Sequence, residues 1–392
     1  MVDSNLSSEK WTKNDWKRSI NLIRPNICFC RSDDRLKKHM KILTVRGFSL
    51  ITFIILAAAV CSAQKSIPEN KSSNVSGYHL LNKIEVGGEG GWDYLFVDSE
   101  AHRLYVSHAT KVVVIDTETD KIVGEIPNTN GVHGVAVARE FGRGFVSDGR
   151  DNAVTIFDLK TLKLLDTVKV GKNPDCIIYD SVSKRVFAFN RSDSTATAFD
   201  AKDGKNASTF DLGGHPEFAV ADEKGMIYVN LDDKSQILAI DSRKPEIKNR
   251  WSVAPAEDCS GLAIDVKTRR LFAVCDNKKM IMMNADTGKV VAEVPIGDGP
   301  DAAGFDTGTH LVFSSNGEGS LTVAREDSND KFSFLENVAT QRGARTMAID
   351  SKTHKVYLST AQFGETPAPT AERPRPRPSI VPNSFVILVY GK

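Results

Sequence analysis

Five positions before a recurring aspartate, the chain carries Asp93, His133, Asp175, Glu217, Ser260, Asp301 and Arg345 in turn. The aspartates are Asp98, Asp180, Asp222, Asp265, Asp306 and Asp350, and Ala138 takes that place in the second copy. Carboxylates, an imidazole, a hydroxyl and a guanidinium in register are residue types that bind a cation or a polar ligand once a fold gathers them. Trp92 and Asp258 stand beside members of this series and join the candidate ligand-binding set. The plainer reading is local. Asp175, Glu217 and Asp301 each follow a proline, and such pairs form turns by bonding nearby backbone amides.

The histidines divide into two groups. His108, His133 and His215 map close to the series, where imidazole beside carboxylate suits a divalent transition metal. No two of them have a short ligand spacing, so no cofactor is expected and a metal is the lesser alternative. His102, His310 and His354 fall in turns on the opposite side and read as solvent-exposed.

The elements that must position these residues are written in a repeat. "HRLYVSH", "GRGFVSD", "KRVFAFN", "GMIYVNL", "RRLFAVC", "HLVFSSN" and "HKVYLST" place an aromatic at Tyr105, Phe145, Phe187, Tyr228, Phe272, Phe313 and Tyr357. Successive spacings are 40, 42, 41, 44, 41 and 44 residues. A period in the low forties filled with short alternating strands predicts an all-β, seven-bladed propeller of four-stranded antiparallel blades. The blades fall near 91–130, 131–173, 174–215, 216–257, 258–299, 300–343 and 344–392. The last has only three strands of its own, ending in "FVILVY", so the N-terminal "YHLLNKIEVG" (Tyr78–Gly87) is expected to complete it and close the ring. In that architecture the series from Asp93 to Arg345 rings one mouth of the central channel.

The motif P-[D/E]-x-x-[A/V]-x-D, followed by a "YVSH"-type strand and then "KVVVIDTETDKIVGEI" (Lys111–Ile126), resembles the YVTN-repeat, YncE-like propellers. The resemblance spans about residues 78–392 and implies the propeller fold and an exported protein. It implies no particular chemistry, because the family's repeats are architectural. "YVTN" never occurs literally, and the sixth copy reads "LTVARED" where the Ile-Asp-Thr element belongs. Seven-bladed lactonases assemble their sites from scattered loops, and His133, Glu217 and Arg345 supply the side-chain types such a hydrolase would use.

Upstream, "KILTVRGFSLITFIILAAAVCSAQ" has the layout of a signal peptide over residues 40–63, cleaved before Gln64, with residues 64–77 as a linker. Residues 1–39 read as an extension ahead of a true start at Met40, or as a cytoplasmic tail. Residues 1–63 hold 11 of the 51 basic and 5 of the 50 acidic side chains, so the remainder, with 40 and 45, carries net charge −5. Nucleic acid is therefore not an expected partner. Cys176, Cys259 and Cys275 remain after cleavage. Cys259 and Cys275 flank one hairpin, so a cross-strand disulfide competes with two buried thiols. The proline-rich stretch 365–382, with Arg373, Arg375 and Arg377, should project on the channel face, as a solvated insertion or over the acidic mouth. The sequence thus predicts a periplasmic or extracellular monomeric scaffold. Its channel face takes a protein or small-molecule ligand, and a lactonase-like hydrolase on the same face is the alternative.

Overall fold

The computed structural model describes residues 75–368, 370, 376 and 378–392. The expected signal peptide, its upstream extension, most of the linker and Arg373, Arg375 and Arg377 lie outside these residues. The described chain folds into seven four-stranded antiparallel sheets. The first blade is typical: Trp92–Asp98, Arg103–His108, Lys111–Asp116 and Lys121–Ile126, from the axis outward. Innermost strands pack on one another around the ring, and Trp92–Asp98 meets Thr346–Ile349 of the seventh blade.

The repeat aromatics explain why the sheets stack. Tyr105, Phe145, Phe187, Tyr228, Phe272, Phe313 and Tyr357 are all at most 1% exposed, each in the second strand of its blade. A four-stranded sheet leaves such side chains on its faces, and only a neighbouring blade removes them from water. The recurring aspartates are structural. Asp98, Asp222, Asp265, Asp306 and Asp350 each accept backbone N–H groups of the turn that follows, which satisfies donors that have no ladder partner.

The ring closes as expected. His79–Glu85 pairs antiparallel with Val386–Gly391 and forms the outermost strand of the seventh blade. Ile84 and Leu388 are buried on that pairing, while Leu80 and Leu81 on the same strand face outward. The Tyr78 hydroxyl donates to the carbonyl of His354, and its ring packs on Phe313 in the sixth blade.

Candidate functional site

The aligned residues begin the innermost strands, so the ring symmetry brings them to one mouth. Asp93, Glu217, Asp301 and Thr346, from four different blades, line one small cavity with Tyr94, Phe218 and Met347. The Tyr94 hydroxyl spans the channel and donates to the carbonyl of Glu217 at 3.3 Å, while its ring meets Phe218 at 5.2 Å. These rings plug the channel directly beneath the carboxylates. Beyond them lies an apolar cavity of about 380 Å³ lined by residues such as Phe96, Val137, Ile178 and Val220.

His133 is the best-held member. Its Nδ1 lies 2.5 Å from Asp93 Oδ2 and 3.5 Å from Asp175 Oδ1, so neighbouring blades on either side grip one imidazole. Burial pulls its pKa down, but the hydrogen bond to Asp93 and the charges of Asp175 and Asp93 outweigh that and leave it at about 9. Asp175 is pushed up by burial and by the Asp93 charge. One potential ligand atom from each of Asp93, His133 and Asp175 lies within 4.8 Å of the others.

Glu217 and Arg345 are committed elsewhere. Arg191 binds both the Glu217 carboxylate and Asp232 Oδ2. Burial and the Asp175 charge push Glu217 up against that pull. Arg345 Nε faces Asp301 Oδ2 at 3.3 Å, and burial raises Asp301 to about 6 despite this partner. Mutual repulsion among Asp93, Asp175, Glu217 and Asp301 makes the mouth a place where a positive charge is favoured. His133, Glu217 and Arg345 therefore answer to three different sets of partners.

Other members of the set lie at the margins. Ser260 Oγ donates to the carbonyl of Pro300, and Asp258 pairs with the Ser235 hydroxyl at the surface. Trp92 stacks on Phe385 at 5.0 Å. A cavity of about 340 Å³ is bounded by Trp92, Arg345, Phe363, Pro378 and Ile380, so the base of the proline-rich insertion does stand over the channel face. Phe363 and Ile380 join its two ends in a β-bridge.

The three histidines singled out for a metal do not converge. His133 lies in the mouth. His215 is exposed near Asp232 and Asp233. His108 is 1% exposed, stacks on Phe385 at 4.4 Å, and neither ring nitrogen finds a hydrogen-bond partner. Burial and the Lys111 charge hold its pKa down. Gly88, at φ +83°, lets the backbone press on this ring, since a Cβ there would stand 2.9 Å from His108 Cε1. Cys259 and Cys275 are directly opposed in register and joined as a disulfide, and Cys176 is buried and free.

Sequence reasoning missed Arg191. It directly follows Asn190, the last residue of a second strand, so the ends of those strands were the signal. His354 was also misjudged as simply exposed: its Nδ1 contacts Asp306 Oδ2 at 2.8 Å.

No family model and no curated protein sequence matches the chain. Solved structures do resemble it. Hydrazine synthase of Kuenenia stuttgartiensis superposes with a TM-score of 0.60 at 14% identity, covering 68% of this chain and 92% of that one. The U3-55K structure gives 0.63 at 9% identity, over 79% of this chain and 98% of that one. The RRP9 WD40 repeats give 0.64 at 9% identity, over 81% and 98%. At such identities the likeness is one of fold: a seven-bladed propeller with WD40-like neighbours. Among the described residues, no helix is long and apolar enough to cross a membrane.

Proposed function

We propose that this propeller is an exported binding scaffold whose acidic mouth seats a positively charged group, from a small ligand or from a protein partner. One observation carries the reading: Asp93, Glu217 and Asp301 from three blades line one small cavity at the mouth, where burial and crowding push Asp175, Glu217 and Asp301 all up in pKa. A carboxylate held up in this way gains from a cation that replaces its proton. Propeller folds present such faces on a rigid frame, which suits recognition. Export rests on the 40–63 segment and on the YVTN-repeat resemblance. A lactonase-like hydrolase would need His133, Glu217 and Arg345 on one reacting centre, and their commitment to different partners favours the scaffold reading.

Trp92, next to Asp93, provides the assay. Its fluorescence should change saturably on titration with a diamine such as putrescine, with Trp92→Phe as the control. Asp175→Asn and Glu217→Gln should each weaken that binding by about tenfold, the effect of about 1.4 kcal/mol. Equal affinity in all three proteins, or no saturable change, would refute the proposal.

A further inference from the structure

The sixth blade breaks the repeat in one place that the mouth does not explain. In six blades an equivalent residue, just past the third strand in five of them and within it in the sixth, donates its amide to the turn between first and second strands. The pairs are Thr117 to His102, Leu159 to Gly142, Ala201 to Lys184, Ser242 to Gly225, Ala285 to Arg269, and Glu326 to His310. Five of these residues are small or apolar. The sixth is a glutamate, and it is only 5% exposed.

Its surroundings make the glutamate costlier still. Thr268 Oγ1 lies 2.8 Å from Asp265 Oδ2 and 2.8 Å from Glu326 Oε1. A hydroxyl has one proton, so it serves only one of these two carboxylates. Glu326 Oε2 is buried and accepts no hydrogen bond from the protein. The nearby Arg270 guanidinium is spent on the carbonyls of Asn329, Thr268 and Arg269 and on Asp330. Burial and the Asp265 charge raise Glu326 to about 7, against the weaker pull of Arg270.

Three other seams show what this position ordinarily holds. Arg139 grips Asp98, Arg269 grips Asp222 at 3.0 Å, and His354 grips Asp306 at 2.8 Å, each reaching back to the preceding blade. His310 is the counterpart of His354, yet it makes no ion pair with Asp265. Instead one potential ligand atom from each of Asp265, His310 and Glu326 lies within 4.8 Å of the others. Two carboxylates and an imidazole form a donor set suited to zinc or manganese, whose bonds to such atoms are about 2.0–2.2 Å.

We propose that Asp265, Glu326 and His310 bind a divalent transition-metal cation at the seam between the fifth and sixth blades, on the face opposite the acidic mouth. The ion replaces the side-chain latch found at the other three seams. It satisfies Glu326 Oε2 and neutralises the carboxylate pair. His310, exposed on its turn, swings in to complete the set.

The test is calorimetric titration of the full-length, EDTA-treated chain with Zn²⁺ and with Mn²⁺, alongside thermal melting. The wild type should bind one equivalent at this seam and melt higher with metal. Glu326→Thr restores the residue of the first blade, so it should fold and melt at least as high as the metal-free wild type, but show no metal-dependent rise. His310→Ala, a surface change, should weaken binding by at least about tenfold. His133→Ala, which dismantles the trio in the mouth, should leave this binding in place. Binding lost in His133→Ala but unchanged in Glu326→Thr and His310→Ala would overturn the proposal, as would no binding of either ion at millimolar concentration.

Discussion

Replacing His133 by glutamine keeps a hydrogen-bond donor for Asp93 but removes a charge that the fold has arranged to hold. In the native protein the imidazole sits near a pKa of 9, against an ordinary 6.5. That gap is worth roughly 3 kcal/mol. The direction follows from linkage: a raised pKa stabilises the fold fully below the unfolded value and loses its effect as the pH rises through the folded one. At pH 7 the native ring is charged and the unfolded one mostly neutral, so roughly 2.5 kcal/mol should be present, falling to near zero by about pH 10. The side chain is 25% exposed and its partners 26% and 9%, so solvent screening is modest. Below neutral pH, Asp175 takes up a proton and withdraws part of the attraction, so the loss should plateau there rather than grow. Urea denaturation of wild type and His133→Gln across this range measures the difference directly, and an NMR titration of the ring reads its pKa. A difference that stays constant from pH 6 to 10, or a ring titrating near 6.5, would show that the imidazole is not held as a cation between two carboxylates.

Arg191→Ala should destabilise the protein by about 2 kcal/mol at pH 8, because it leaves Glu217 and Asp232 facing each other without their shared cation. The penalty should shrink by pH 5, where Glu217, raised by burial and the Asp175 charge, is protonated. Denaturant midpoints at the two pH values check this. Ile84→Asp buries a charge on the closing strand and should cost at least about 3 kcal/mol, seen as a sharp drop in melting temperature. Leu80→Asp, at a position 41% exposed on the same strand, should leave melting nearly unchanged. Equal effects at the two sites would show that the N-terminal strand does not close the ring.

Much of the candidate site was legible because a repeat converts sequence register into spatial position. Once one blade starts at Asp93, each equivalent residue must start another, and seven of them share a mouth. Register says which residues are near, but not which of them pair. Arg191 serves Glu217 and Asp232 from a blade boundary, while His133 leans on Asp93 and Asp175. His108, equally near in register, turns into the seam against Phe385. Glu326 was visible as a break in the motif, but only its burial beside Asp265 gave that break a meaning.

The architecture is written along the chain. Alternating apolar residues define strands, the period in the forties counts the blades, and an incomplete last blade calls for the strand at Tyr78–Gly87. All of these are read from local alternation or from copies of one motif in a common register. The chemistry emerges only where the blades meet. Which carboxylate stays protonated, which histidine is charged and which seam lacks its latch depend on side chains from different blades. Those contacts are set by how the blades twist and pack against each other, and they change over a fraction of the width of a side chain. A sequence period does not specify positions that finely.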